Sequence, residues 1–172
     1  MISRFIGEYS FLDLNQPLQY TLYDVYFRTL RHYYYAFKCQ SLNGLKIVAN
    51  SMNPELTLIE YSKKYNHYTR SDWKDVRYDI LSHGVYMRYY SDYFLQQKLL
   101  STNTEELIYG LLDIELTEDQ LFLGYSLANQ TGFNALGKIL MYYREYFRSL
   151  NENLRLNTEN YPEMVTSKTD II

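Results

Sequence analysis

The sequence predicts a mainly α, α+β fold: one helical domain with a small β element near its N-terminus. Apolar residues recur at helical spacing over most of the 172 positions, whereas alternating, β-branched stretches are confined to the part before Phe27. No repeat, low-complexity linker or charge block divides the chain. The length suits a single domain able to bury a sizeable core.

Ile2–Ile6 is short, apolar and partly alternating, which predicts a strand, and Gly7 opens a loop running through Pro17. Leu18–Val25 predicts a second strand. From Phe27 the spacing turns helical, with Phe27, Leu30, Tyr34 and Phe37 on one face, and Asn43-Gly44 is predicted to end that helix. Leu45–Ala49 and Glu55–Tyr65 predict two shorter helices separated by Asn53-Pro54. Ser71-Asp72-Trp73 starts a long helix with Trp73, Val76, Ile80 and Met87 on one side. Thr102-x-x-Glu105 reads as a capping box ahead of a helix over Leu107–Leu112, and Thr117-x-x-Gln120 as a weaker version of the same pattern. Leu121–Gly132 is loop-like, with Gly124, Asn129 and Gly132. The closing helix runs from about Leu136 to Asn151, so the domain spans 1–151 and a polar tail 152–172.

A hydrophobic content of 47%, a charged content of 22% and a net charge of −3 describe an ordinary globular protein with no general attraction to nucleic acid or anionic membrane. Recognition of a single nucleotide in a local pocket stays compatible with that charge. The one cysteine, Cys39, forms no internal disulfide and suits a reducing compartment. No apolar run long enough to span a membrane and no signal peptide is read, so the expected location is the cytoplasm. His32, His67 and His83 lie far apart with no cysteine cluster, which predicts no metal site, and no cofactor motif appears. Tyrosine is the anomaly, at 21 residues; most fall in helical patterns and are expected to pack with their hydroxyls at water.

The run Gly132-Phe-Asn134-Ala-Leu136-Gly137 leads into the closing helix, with Leu136, Ile139, Leu140, Tyr143 and Phe147 at helical spacing. Such a junction is expected to set backbone N–H groups and an amide beside a helix N-terminus, where phosphate or sugar oxygens bind.

Four segments in order resemble the NADAR (NAD and ADP-ribose associated, YbiA-like) family. Phe5-Ile-Gly-Glu-Tyr-Ser-Phe-Leu12 looks like its opening, and His32-Tyr-Tyr-Tyr-Ala36-Phe-Lys38 like its Glu-His…Gln-Ala-x-Lys helix. Asp72-Trp73-Lys-Asp-Val76 is similar to its Trp-x-x-Val helix start, and Gly132-x-Asn134-x-Leu136-Gly137-x-x-Leu140-Met141-x-x-Arg144 to its closing motif. The resemblance covers about residues 2 to 148 and implies a YbiA-like helical fold. It also implies cleavage of N-glycosidic bonds, such as those of riboflavin-synthesis intermediates or ADP-ribosylated guanine. A carboxylate then faces an oxocarbenium-like state, and a donor helps the base depart.

The chain departs from the pattern where charge matters. Arg31 stands in place of the glutamate before His32, and Tyr35 in place of the helix glutamine. Asp13-Leu14-Asn15 replaces Ser-Asn-Phe, and Leu123-Gly124 replaces Trp-Gly. A guanidinium opposes a developing cation but favours phosphate. The first reading is therefore a divergent member that binds a nucleotide or ADP-ribose-like small molecule, with glycosidase activity weakened or lost. Phe11, Arg31, His32, Tyr35, Lys38, Gly124, Gly132 and Asn134 are its expected contacts. Sequestration of a signalling nucleotide, as in phage defence, would suit such a pseudoenzyme. The alternative is an active N-glycosidase with a relocated acid, for which Glu8 and Asp119 are the candidates beside Asp13; nucleic acid enters only as a modified-base substrate. A third reading is a scaffold that keeps only the fold.

Overall fold

The computed structural model describes residues 1–65 and 67–160, with side chains through Arg155. The first expected strand shrinks to an isolated parallel bridge, Ile2 with Leu107, held by Ile2 N–H to Glu106 O at 2.8 Å and Ile108 N–H to Ile2 O at 2.8 Å. Gly7, at φ +57°, then bends the chain into a 3₁₀ turn over Gly7–Leu12, where a loop is expected. The single strand expected over Leu18–Val25 is a hairpin of β1 (Pro17–Leu22) and β2 (Val25–Thr29). Its two-residue turn, Tyr23-Asp24, has φ of 53° and 58°, the conformation that matches strand twist but is usually signalled by glycine. Phe27 accordingly lies in a strand, fully buried.

Helix α1 (Leu30–Ala36) starts where Thr29 accepts a hydrogen bond from the His32 N–H, later than the apolar spacing suggests, and ends earlier. Asn43-Gly44, expected to end a helix, lie in the first turn of α2 (Leu42–Asn50), capped by Ser41. A Cβ on Gly44 would stand 3.2 Å from Cys39 Cβ and from the Tyr68 ring, so close packing explains this glycine. Asn53 caps α3 (Pro54–Lys64), with Pro54 at its start and Glu55 in its first turn. The long helix α4 (Trp73–Tyr90) begins at Trp73 as expected, and α5 (Tyr93–Leu100) follows, capped by Asp92.

The two capping-box expectations exchange places. Thr102 is buried; its hydroxyl donates to Leu99 O at 2.7 Å and accepts from Arg144 at 2.9 Å, and no helix follows. Residues 107–112 instead form no helix: Gly110 N–H donates to Ile108 O at 2.9 Å across Tyr109, and β3 (Gly110–Leu111) pairs in parallel with β4 (Tyr125–Ser126). Thr117 and Gln120 form the reciprocal box that starts α6 (Glu118–Leu123), inside the stretch read partly as loop. Helix α7 starts at Ala135 and continues past Asn151 to Asn160. Positions 161–172 of the expected tail lie outside the described residues.

The core is aromatic. Tyr34, Tyr35, Tyr89, Phe27 and Phe147 are its largest fully buried side chains. Burial of each such ring contributes about 1.5–3 kcal/mol relative to exposure, and the Tyr89 hydroxyl donates to Phe11 O at 3.0 Å. The tyrosines at 90, 142 and 146 remain exposed on α4 and α7. Among the described residues no helix is long and apolar enough to cross a membrane.

Candidate functional site

Helices α1, α3, α4 and the N-terminal end of α6 surround a cavity of about 530 Å³. Tyr35 and Lys38 reach it from α1 and the residues after it, Glu55, Leu58 and Ile59 from α3, and Trp73, Lys74 and Arg77 from α4. Thr117, Glu118 and Asp119 close it from α6. Each placement follows from local structure. Trp73 opens α4, so Arg77, one turn on, shares its face. Asp119 follows the Thr117 cap, in the first helical turn, where a carboxylate is favoured.

Asp119 is the hub. Its Oδ1 accepts from Trp73 Nε1 at 2.9 Å and from the Tyr34 hydroxyl at 3.4 Å, and Arg77 stands 3.6 Å away. The Lys38 ammonium pairs with its other oxygen. The Tyr34 phenol is shifted far upward, chiefly by burial and then by the Asp119 charge, so it stays a donor. Arg77 stacks over Phe122 at 4.0 Å, and its buried Nε has no hydrogen-bond partner. Around the rim, Arg70 makes a bidentate pair with Asp72 at 2.6 and 2.8 Å, and Lys74 reaches Glu118 at 3.1 Å.

The α3 wall carries a second acid. Glu55 lies 3.7 Å from Arg31, with a side chain only 12% exposed. The buried Tyr35 hydroxyl beside it has no hydrogen-bond partner; burial and then the Glu55 charge hold this phenol well above its ordinary range.

Of the residues singled out in sequence, Tyr35, Lys38 and Asp119 line this cavity, and Arg31 stands behind its wall through Glu55. His32 faces elsewhere: its Nε2 meets Ser51 O at 3.1 Å and its Nδ1 the Thr29 hydroxyl at 2.7 Å. Burial, with help from Arg28 and Arg31, lowers its pKa from 6.5. Glu8 and Phe11 border a separate depression with Lys98 and Glu105.

The Gly132–Gly137 junction is a clamp in place of the expected anion site. Asn134, at φ +55°, accepts the Tyr109 N–H through Oδ1 and donates through Nδ2 to Leu107 O, each at 2.9 Å. Both ends of that amide are thus engaged by backbone. Gly132 lies where a Cβ would meet Gly124 O at 2.4 Å, and Gly124 where one would meet Tyr109 O at 2.5 Å, so both serve close backbone packing. Glu55, Arg70 and Arg77 escaped sequence reasoning. Glu55 has the look of an ordinary first-turn acid, and only the i+4 relation to Trp73 could have flagged Arg77.

The site is thus a cavity of an α+β domain, edged by Lys38, Arg70, Lys74 and Arg77, with Trp73 and Tyr35 in its wall and Asp119 among the cations. The profile of the NADAR domain matches residues 2–148, and the chain belongs to the NADAR family. Its fold is similar to the NMR structure of the E. coli protein YbiA, with a TM-score of 0.67, 18% identity, and coverage of 88% of this chain and 87% of that one. No curated protein shows significant similarity to the chain.

Proposed function

We propose that this NADAR protein binds a nucleotide or ADP-ribose-like ligand in the cavity around Asp119, with a phosphorylated ribose as the recognised unit. The observation that carries this reading is the convergence of Lys38, Arg77 and Trp73 on one buried carboxylate inside a cavity of about 530 Å³. Arg and Lys supply the charge-assisted donors that phosphate oxygens need, with Arg70 and Lys74 at the mouth. Tyr35, Trp73 and Leu58 supply apolar surface for a sugar face or base. Asp119 is the acceptor for sugar hydroxyls, held rigid by its donors. The buried Cys39 thiol, pushed up to about 11 by burial, is unreactive and suits a reducing cytoplasm. Binding alone requires affinity and no preference for a transition state.

Trp73 is the only tryptophan in the sequence, so its emission reports on this cavity alone. Titration with ADP-ribose, NAD and AMP is expected to change that emission saturably, with matching heat by calorimetry. Lys38→Met and Arg77→Met should each weaken affinity on the order of tenfold, the loss of one charge-assisted contact. No heat and no emission change at millimolar concentrations of all three ligands would reject the reading and leave a protein that keeps only the fold.

A further inference from the structure

We infer that Arg88 anchors a second ligand site, apart from the Asp119 cavity, and that this site takes a small molecule carrying one carboxylate on an apolar body. A cavity of about 810 Å³ lies between β1 and the junction of α4 with α5, and it shares no lining residue with the first. Arg88 reaches it from the last turn of α4. It is only 3% exposed, yet among the described residues no carboxylate forms an ion pair with it; Asp13 and Asp92 act on it through their charge alone. Nη1 donates to Asp13 O at 3.2 Å, and Nε is buried without a partner. Arg144, buried to nearly the same degree, spends its donors on Thr102, Glu105 O and Glu145. The negative end of α4 and the Tyr89 ring, 5.3 Å from the guanidinium, offset only part of the hydration that Arg88 gives up. Buried charges in folded chains are paired, because an uncompensated one is costly. Arg88 lacks an anion.

The rest of the cavity defines that anion. Helix α5 starts on it: Asp92 caps the helix by accepting the Leu95 N–H at 3.0 Å, and the Tyr93 and Phe94 N–H groups of the first turn remain as donors for a bound oxygen. Among the described residues, Arg88 and Asp92 are the only charged side chains in the lining. With the positive end of α5 beside them the balance is about +0.5 charge; a carboxylate brings it to about −0.5 and a phosphate dianion to about −1.5, facing Asp92. The monoanion fits. Tyr93 and Phe94 are 71% and 68% exposed, and with Leu18 and Leu95 they give the apolar surface that the rest of the ligand covers. Gln19 lines the cavity at φ +51°, at the break in β1–β2 pairing, a strained backbone of the kind that gathers at binding sites.

The test uses the full chain with phenylpropionate, its neutral amide and phenylethyl phosphate. Binding is read by calorimetry and by the Nε–H resonance of Arg88, the arginine signal missing from R88M. The wild type is expected to bind phenylpropionate saturably at millimolar concentration, with a shift of that resonance, and to leave the amide unbound. Phenylethyl phosphate should bind at least about threefold more weakly. R88M should lose at least about tenfold in affinity, the loss of one charge-assisted contact. D92N keeps the helix cap, which asparagine also makes. It should tighten phenylpropionate about two- to fivefold and the phosphate ester by more. Trp73 emission should stay constant, because Trp73 lines the other cavity. Should R88M fail to fold, D92N decides, since it leaves Arg88 in place: no tightening overturns the site. The site is equally overturned by a wild type that binds no phenylpropionate, by an amide bound as tightly as the acid, or by an unchanged affinity in R88M. A Trp73 response that tracks binding would place the ligand beside Asp119 and overturn it too. Preference for the phosphate ester overturns the choice of carboxylate.

Discussion

Replacing Asp119 with asparagine keeps the shape of the side chain and removes the charge on which four neighbours converge. Asparagine can still accept from Trp73 or Tyr34, but its NH₂ must then face the Lys38 ammonium, donor against donor. Breaking a buried charge pair from one side costs about 3–5 kcal/mol. Lys38 and Arg77 keep 23% and 15% of their side chains exposed and can turn toward water. We therefore expect about 2–3 kcal/mol. For a chain of this size that lowers Tm by roughly 4–12 °C. Urea unfolding followed by far-UV circular dichroism measures it directly, in variants with and without Trp73. Trp73→Phe, which deletes one donor to the same oxygen, should couple to Asp119→Asn in a double-mutant cycle by about 1 kcal/mol or more. A loss below about 1 kcal/mol for Asp119→Asn, or strict additivity of the two changes, would show that Asp119 is a solvated surface acid and refute the hub.

Asn134→Ala removes both backbone clamps and leaves alanine at φ +55°; a loss of about 2–4 kcal/mol in urea unfolding is expected. Gly137→Ala should cost at least about 2 kcal/mol, because its Cβ would stand 2.1 Å from Leu107 O, which is backbone and cannot swing aside. His32 titrates below 6.5 in the folded chain, so around and below that pH the unfolded chain binds more protons and stability falls as pH drops. Wild-type protein should therefore lose urea resistance between about pH 7.5 and about pH 5.5 more steeply than His32→Gln does.

What could be read in the sequence followed local rules. Asn53-Pro54 marks α3 because cap and proline act within one turn, and Ser71-Asp72-Trp73 marks the start of α4 although the Asp72 carboxylate pairs with Arg70 and makes no cap bond. The hairpin was hidden because Tyr23-Asp24 adopts positive φ without glycine. Thr102 failed as a cap because a distant residue, Arg144, takes its hydroxyl, and sequence spacing carries no trace of that contact. The cavity repeats the lesson. Tyr35 and Lys38 were legible through the helix that resembles the family's, and Asp119 as a candidate relocated acid. Glu55 was not, because its place in the cavity wall beside Arg31 is a contact between two helices that sequence spacing does not carry. The Gly132–Gly137 run signalled a special backbone correctly, but geometry spends that backbone on packing.

The clamp also fixes an order of assembly. Leu107 pairs with Ile2 on one side and accepts Asn134 on the other, so the segment at 107–111 joins one part of the chain far upstream of it to another downstream. During synthesis the first partner waits in hand while the second has yet to emerge. Closing these long loops is entropically slow, and the half-joined segment presents an unpaired edge meanwhile. The residues that lead into α7 also reach the short helix α6, with Phe133 N–H donating to Leu121 O at 2.7 Å and Asn134 N–H to Gly124 O at 3.0 Å. Until Asn134 has emerged, the Leu107 carbonyl and the Tyr109 N–H therefore lack the partners that this one side chain supplies.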